Sequence, residues 1–252
     1  MKTSPNSKSS AAWIEPAESG GARAPTIDGS RIEEALDDHG YAIARHLLQP
    51  DDCAALVASY TDDHLFRSTI VMARHGFGQG EYRYFAYPLP AIIAALRTIL
   101  YATLAPIANR WSAALDTDSR YPLDHKTYLA RCRRAGQTRP TPLILRYRVD
   151  DYNCLHQDLY GEHVFPLQAT ILLSAPGKDF AGGEFVLTEQ RPRRQSRAEV
   201  VPLERGDAVI FPVNHRPVRG TRGFHRTRMR HGVSRVRAGE RYTAGIILHD
   251  AR

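Results

Sequence analysis

Cysteine is scarce: Cys53, Cys132 and Cys154 are the only three in 252 residues. Their number is odd, their spacing is wide and no CxxC pair occurs, which argues against a disulfide framework, a thiolate zinc site and a dithiol redox couple. Reduced thiols are expected, with Cys154 open to oxidation because it lies two residues from a candidate metal ligand. Long apolar runs are lacking too. No stretch reads as the roughly 20 continuous apolar residues that span a bilayer, and Met1–Ser10 is polar, without the apolar segment of a secretory signal. The expectation is a cytoplasmic chain with no membrane partner. Internal repeats are absent. Acidic residues are thin in one region: from Gln190 to Arg241, 14 arginines stand against only Glu199, Glu204, Asp207 and Glu240, within a formal net charge of +7. Such a local field attracts phosphate and points to nucleic acid as a partner through residues 190–241; a solvated arginine-rich surface is the plainer reading. Nothing in the pattern speaks to oligomeric state.

What is present suffices for a full core, with 42% hydrophobic residues. Residues 1–27 are rich in Ser, Pro, Gly and Ala without periodicity and read as a flexible tail. Residues 28–140 read as a helical or mixed part packing on the core. Ser30–Asp38 suits a short helix, Tyr41–Ala44 a strand, and Pro50 with Asp51 and Asp52 a helix start followed by the stripe Cys53, Leu56, Val57, Tyr60. Ala91–Leu115 predicts one or two helices, interrupted at Pro106. From residue 141 to 252 the character turns to short branched runs separated by turn residues: 143–147, 169–174, 184–187, 208–211 and 242–248. Strands so short, with no helices between them, predict a sandwich or rolled β barrel. Residues 190–197, with Pro, Ser and four arginines, read as an exposed loop.

Within this β half, His156-Gln-Asp158 places an imidazole and a carboxylate two positions apart, which in an extended strand puts both on one face. Alone the pair is weak. His231 follows in the patterned segment Arg230–Val236, where a distant strand can fold back beside it. Two histidines and one carboxylate on one face of an ion leave three positions open, the donor set that suits Fe(II) rather than zinc. Arg241 opens the apolar strand that ends the chain, and a planar guanidinium there suits the distal carboxylate of 2-oxoglutarate by two parallel hydrogen bonds. Thr243 shares its face and offers a hydroxyl.

Taken in order, Arg146-Tyr147, His156-x-Asp158, Ala169-Thr-Ile-Leu-Leu, Gly182-Gly183-Glu184, Arg205-Gly-Asp-Ala-Val-Ile-Phe211, His231 and Arg241 resemble the 2-oxoglutarate and iron-dependent oxygenases of the prolyl 4-hydroxylase-like branch, over residues 141–252. The resemblance implies a mainly β fold with α, a double-stranded β-helix (jelly-roll, cupin-like) core flanked by N-terminal helices. It implies Fe(II), 2-oxoglutarate and O2 as cofactors, a dioxygenase that hydroxylates or oxidatively demethylates its substrate, and a co-substrate hydrogen bond from Tyr147. More narrowly, Phe77-Gly78-x-Gly80-Glu81-Tyr82-Arg83-Tyr84-Phe85-Ala86-Tyr87-Pro88-Leu89-Pro90 with His225–His231 is similar to a bacterial family described as oxygenases acting on damaged DNA. The alkylation-repair demethylases carry a second arginine six residues beyond the co-substrate arginine; this chain has Ile247 there, and its Gly-Gly-Glu turn sides with the hydroxylases.

Substrate contacts are expected from Tyr84 and Tyr87, as a lid that stacks on a base, and from Arg228 and Arg230, which alternate with Arg226 towards His231. Core packing of the aromatics and solvation of the arginines are the plainer readings. Other classes stay open: a cupin-like metal enzyme that needs neither Arg241 nor Tyr147, a noncatalytic nucleic-acid-binding module, or, within the oxygenases, a hydroxylase of a protein side chain or small metabolite.

Overall fold

The computed structural model describes residues 27–159, 161–221 and 223–252, together with the backbone of Trp13–Ile14. The expected tail therefore lies outside the described residues, apart from Ile27 and that short pair. In chain order the elements are β1 (Trp13–Ile14), α1 (Gly29–His39), β2 (Ala42–Ala44), α2 (Pro50–Ala58), β3 (Phe66–Val71), β4 (Gly78–Gln79), β5 (Glu81–Phe85), α3 (Ala91–Ala114), α4 (His125–Arg134), β6 (Leu143–Tyr147), β7 (Tyr152–His156) and β8 (Leu167–Leu172). They continue with β9 (Phe180–Gly182), β10 (Phe185–Gln190), β11 (Arg197–Val201), β12 (Ala208–Pro212), β13 (His215–Gly220), β14 (Gly223–Val233), β15 (Val236–Gly239) and β16 (Arg241–Ile246).

The helix ends follow local chemistry. The Asp28 carboxylate accepts from the N–H groups of Ser30 and Arg31 at the start of α1, and Gly40, at φ 82°, closes it by donating to Leu36 O. The break expected at Pro106 does not occur: α3 runs unbroken for 24 residues. Proline costs a helix the hydrogen bond to the carbonyl four residues back. Here both Ala102 and Pro106 are exposed, so that carbonyl meets water. This helix has a mean hydropathy of 1.7 over 18 residues, enough for a membrane span by length and composition, although Arg97 and Thr98 interrupt its apolar run. Its Leu96, Leu100, Leu104 and Trp111 are buried in the core beside strand residues.

Two antiparallel sheets form the body. The larger has the order β1-β2-β12-β8-β16-β6-β5-β3, with β1 parallel to β2; the smaller has β11-β10-β14-β7-β4, with β13 on β14. This is the jelly-roll core expected of residues 141–252. The N-terminal part does more than pack on it, because β5 pairs with β6 and β4 with β7, extending both sheets. Strand alternation divides the core in two. Ala208, Ile210, Ala244 and Ile246 face the helices, whereas Val209, Phe211, Phe185 and Leu187 pack between the sheets. Arg241, Thr243 and Gly245 therefore point inward, towards the space between the sheets.

The C-terminal segment is pinned by a buried polar network. Arg97 pairs with Asp250 at 2.7 Å, donates to Ile247 O at 2.9 Å and to Tyr87 Oη at 3.0 Å, and Tyr87 donates to Asp250. His125 Nε2 meets Leu248 O at 2.9 Å and its ring stacks on Tyr101. Burial, reinforced by the charge of Arg97, pushes both His125 and His249 down to about 4. The unfolded chain takes up these protons near pH 6.5, before the native state does, so stability present above that pH is lost as pH falls towards 4. Urea denaturation should show free energy declining from pH 6.5 downward. His125→Gln, which keeps a donor for Leu248, should flatten the slope between pH 6.5 and 5; an unchanged slope would contradict the assignment.

Candidate metal centre and its cavity

His156 ends β7 and His231 lies near the end of β14, and the two are direct partners in the antiparallel ladder. Their ring centroids are 4.1 Å apart. The register shifts between His231 and Val233, so β7 carries an extra residue. Gly232 permits it: a Cβ there would lie 2.7 Å from Asn153 O. Just beyond β7, Asp158 brings Oδ1 to 3.5 Å from His156 Nε2 and Oδ2 to 3.3 Å from His231 Nε2. One ligand atom from each of the three falls within 4.8 Å of the others, the one such cluster of His, Cys, Asp or Glu among the described residues.

The surroundings orient these groups. His156 Nδ1 sits 2.7 Å from Cys154 O, so it carries the proton and leaves Nε2 a lone pair. Gln168, buried on β8, donates Nε2–H to Asp158 Oδ2 at 2.8 Å. Phe211 and Phe185 lie against the His231 ring at 4.7 and 6.0 Å. Burial would raise the Asp158 carboxyl, but hydrogen bonding from His156 and the charge of His231 hold it well below the usual range. Burial opposes the charged form of His156, yet its bond to Asp158 prevails and raises it; burial, then the charge of His156, lowers His231. Cys154 is exposed, unlike the other two cysteines.

The cluster opens into a cavity of about 230 Å³, lined largely by apolar and aromatic side chains including Phe77, Tyr82, Tyr84 and Leu159. Tyr147 and Thr243 line it as well. Arg241 does not; it lines the neighbouring cavity, and Phe185 is common to both. The guanidinium lies 5.5 Å from the centre of the Tyr147 ring, its partner across the β16–β6 ladder, and 5.8 Å from that of Phe180. Arg241 is 1% exposed, and its Nε and Nη1 have no hydrogen-bond partner. Burial lowers its pKa to about 10. Gly183, at φ 62°, makes the room, since a Cβ would stand 2.8 Å from Arg241 Cδ.

Three of the four residues expected to contact substrate do not line this cavity. Tyr84 lines the cavity, but Tyr87 follows the end of β5, escapes its alternation and joins the Arg97–Asp250 network. Arg228 and Arg230 share a face with Arg226 as expected, but it is the outer face: Thr227, Met229 and His231 point inward and the arginines outward. Gln168 and Phe185 escape the sequence reading, and Gly183 and Phe211 enter it only within motifs, without a role of their own. Gln168 left a signal, as the one amide within the apolar run Leu167–Leu172.

Residues 80–251 match a protein family described as an oxygenase catalysing oxidative methylation of damaged DNA. An uncharacterized protein of Mycobacterium tuberculosis is 50% identical over 167 residues, 66% of this chain and 72% of the relative. Among solved structures, a prolyl-4-hydroxylase from Pseudomonas putida superposes with a TM-score of 0.53 at 14% identity, covering 89% of this chain and 100% of that one. An oxidoreductase of the 2OG-Fe(II) oxygenase family from Burkholderia pseudomallei gives 0.50 at 17% identity, over 91% and 95% of the two chains. At such identity these two establish the fold.

An outer-shell partner of a metal ligand typically contributes roughly 10- to 100-fold in affinity. Gln168→Leu should weaken Mn(II) binding by about that factor, read by electron paramagnetic resonance titration, with the fold intact by circular dichroism. Unchanged affinity would remove Gln168 from the site.

Proposed function

Because the chain belongs to the oxygenase family described as catalysing oxidative methylation of damaged DNA, we propose that His156, Asp158 and His231 hold Fe(II) and that Arg241, Tyr147 and Thr243 hold 2-oxoglutarate. The donor set of two imidazoles and one carboxylate fits iron(II) and leaves coordination positions for co-substrate and dioxygen. The observation that carries the co-substrate assignment is the buried guanidinium of Arg241, whose Nε and Nη1 lack an acceptor, on the strand face it shares with Thr243. A buried charge without a partner is costly, and a dicarboxylate supplies the missing acceptors. When bound, iron(II) with 2-oxoglutarate and dioxygen supplies the oxidant for a C–H bond, with succinate and carbon dioxide as by-products.

The chain's own residues do the rest. His156, held by Cys154 O, keeps Nε2 aimed at the ion. Asp158, kept ionised and anchored by Gln168, offers one oxygen to it. Phe185 and Phe211 exclude water around His231. Phe77, Tyr82 and Tyr84 form an aromatic wall that suits a flat base or an apolar side chain. The substrate reading is a damaged or alkylated base in nucleic acid. A second reading, carbon hydroxylation of a protein side chain or metabolite, is favoured by Ile247, which lines the cavity at the position where the alkylation-repair demethylases carry an arginine.

The deciding experiment is anaerobic reconstitution with Fe(II) and 2-oxoglutarate, then succinate measurement with methylated single- and double-stranded DNA, RNA, peptides and a metabolite mixture. Stimulation by DNA supports the first reading, stimulation by peptides or metabolites the second, and no succinate under any condition overturns both. Arg241→Met should lower 2-oxoglutarate affinity roughly 100- to 1000-fold, the usual scale for truncating one partner of a buried charge pair. The same substitution should raise the melting temperature of the protein without co-substrate, by removing an unpaired buried charge. A lowered melting temperature with unchanged affinity would make Arg241 structural.

A further inference from the structure

A second groove, of about 210 Å³, runs beside the metal cavity, and Leu159 lines both. Trp111, Thr117 and Ser119 stand on one side of it; Asn214, His215 and Arg226 on the other. Its charged lining is cationic. Asp116 and Asp118 alternate with Thr117 and Ser119 along the chain, yet neither lines the groove. His215 pairs with Arg228 in the β13–β14 ladder, and Arg226 follows on the same face. Burial, then the charges of Arg226 and Arg228, lowers the pKa of His215, as expected where cations crowd without a counter-ion. Among the described residues the side chains of Arg226, Arg228 and Arg230 have no ion pair, hydrogen bond or ring partner. The groove wall is tied to the metal centre: Gln157, between His156 and Asp158, donates its amide to Asn214 Oδ1 at 2.6 Å and to Met229 O at 2.8 Å.

Resting on the oxygenase reading above, the geometry points to this groove as a phosphate subsite for single-stranded nucleic acid: His215 and Arg226 hold the phosphodiester beside the nucleotide whose base passes Leu159 into the metal cavity, and Arg228 and Arg230 track the adjoining backbone. Three reasons favour a polyanion over a lone phosphate. The three arginines have no side-chain partner among the described residues, so an anion replaces water rather than a protein group. Alternate residues of a strand are about 6.8 Å apart, comparable with neighbouring phosphates along an extended single strand, so the row matches a repeating anion. A base can reach an enclosed site only when out of its stack, which a single strand allows at least cost.

The test is fluorescence anisotropy of a labelled oligothymidylate with the full chain, across a salt series. Each phosphate contact to a single strand adds about 0.7 to the slope of log affinity against log salt. Arg226→Gln should reduce the slope by about 0.7 and Arg226→Gln with Arg228→Gln by about twice that, whereas Arg235→Gln with Arg237→Gln, exposed beyond the opposite end of β14, should leave it unchanged. Equal losses from both pairs, or none from Arg226→Gln, would overturn the proposal. Inorganic phosphate and thymidine monophosphate should compete weakly; competition as strong as that of the unlabelled oligomer would assign the groove to a small phosphoester instead. Poly-glutamate competing equally would reduce it to a general polyanion surface and overturn the assignment. The anisotropy series is run without iron or 2-oxoglutarate, apart from the turnover assay. That keeps the two readings separable: slope changes without succinate in the turnover assay sink the oxygenase assignment alone, and succinate with a flat slope sinks the groove alone.

Discussion

His156 and His231 come together because β7 and β14 pair in one particular register, and most of what is notable about this molecule depends on that register. Side chains alternate along a strand, so a slip of one residue would turn one imidazole to the outer face and dismantle the cluster. The register is fixed on both sides. β14 pairs with β10 over six residues, Phe185↔Val233 to Gln190↔Arg228, and with β13 over six more. Phe185, Leu187 and Phe211 fill the space between the sheets, so apolar burial of several side chains, at roughly 1.5–3 kcal/mol each, opposes any slip. The extra residue of β7 is accommodated against Gly232, and it marks the point where the ladder gives up regularity to turn Asp158 towards the two rings.

Against that rigid frame, Arg241 is the expensive element. A guanidinium almost without solvent access, packed on Tyr147 and Phe180, has two nitrogens with nothing to bond. Folding does not gain by such an arrangement; an apolar side chain of similar volume would serve the core better. Gly183, in a backbone conformation that other residues rarely adopt, opens the space for it. On the proposed reading an anion supplies the missing acceptors, from the side where Tyr147 and Thr243 line the metal cavity.

Much of this was legible in the sequence, for identifiable reasons. The two-residue spacing of His156 and Asp158 kept the pair together although β7 ends at His156 and Asp158 lies beyond it, and the apolar run after Arg241 announced a buried strand. The jelly-roll half was readable because its strands are short, branched and separated by turn residues. Other features depended on tertiary context. Pro106 looks like a break until the carbonyl it strands proves to face water. Tyr87 looks like the next residue of an aromatic strand until β5 ends before it and Asp250, 163 residues away, claims its hydroxyl. Gln168 is a single amide in an apolar run, and only its distance to Asp158 gives it a role.

The arginines of β14 teach the sharper lesson, because the information was in the sequence and lay in parity. Positions 226, 228 and 230 are even and 231 is odd, so one strand must present its basic residues and its ligand on opposite faces. This arrangement lets one element carry both the histidine and the basic row. The inner face needs apolar neighbours around His231, and inward arginines there would compete for Asp158 and raise the cost of burial. The outer face, beside the groove that meets the metal cavity at Leu159, can collect positive charge without disturbing the ligands. A single strand thus separates by a few ångströms a buried pocket around His231 from an exposed basic surface, and the link from Gln157 to Asn214 and Met229 keeps the two in fixed relation.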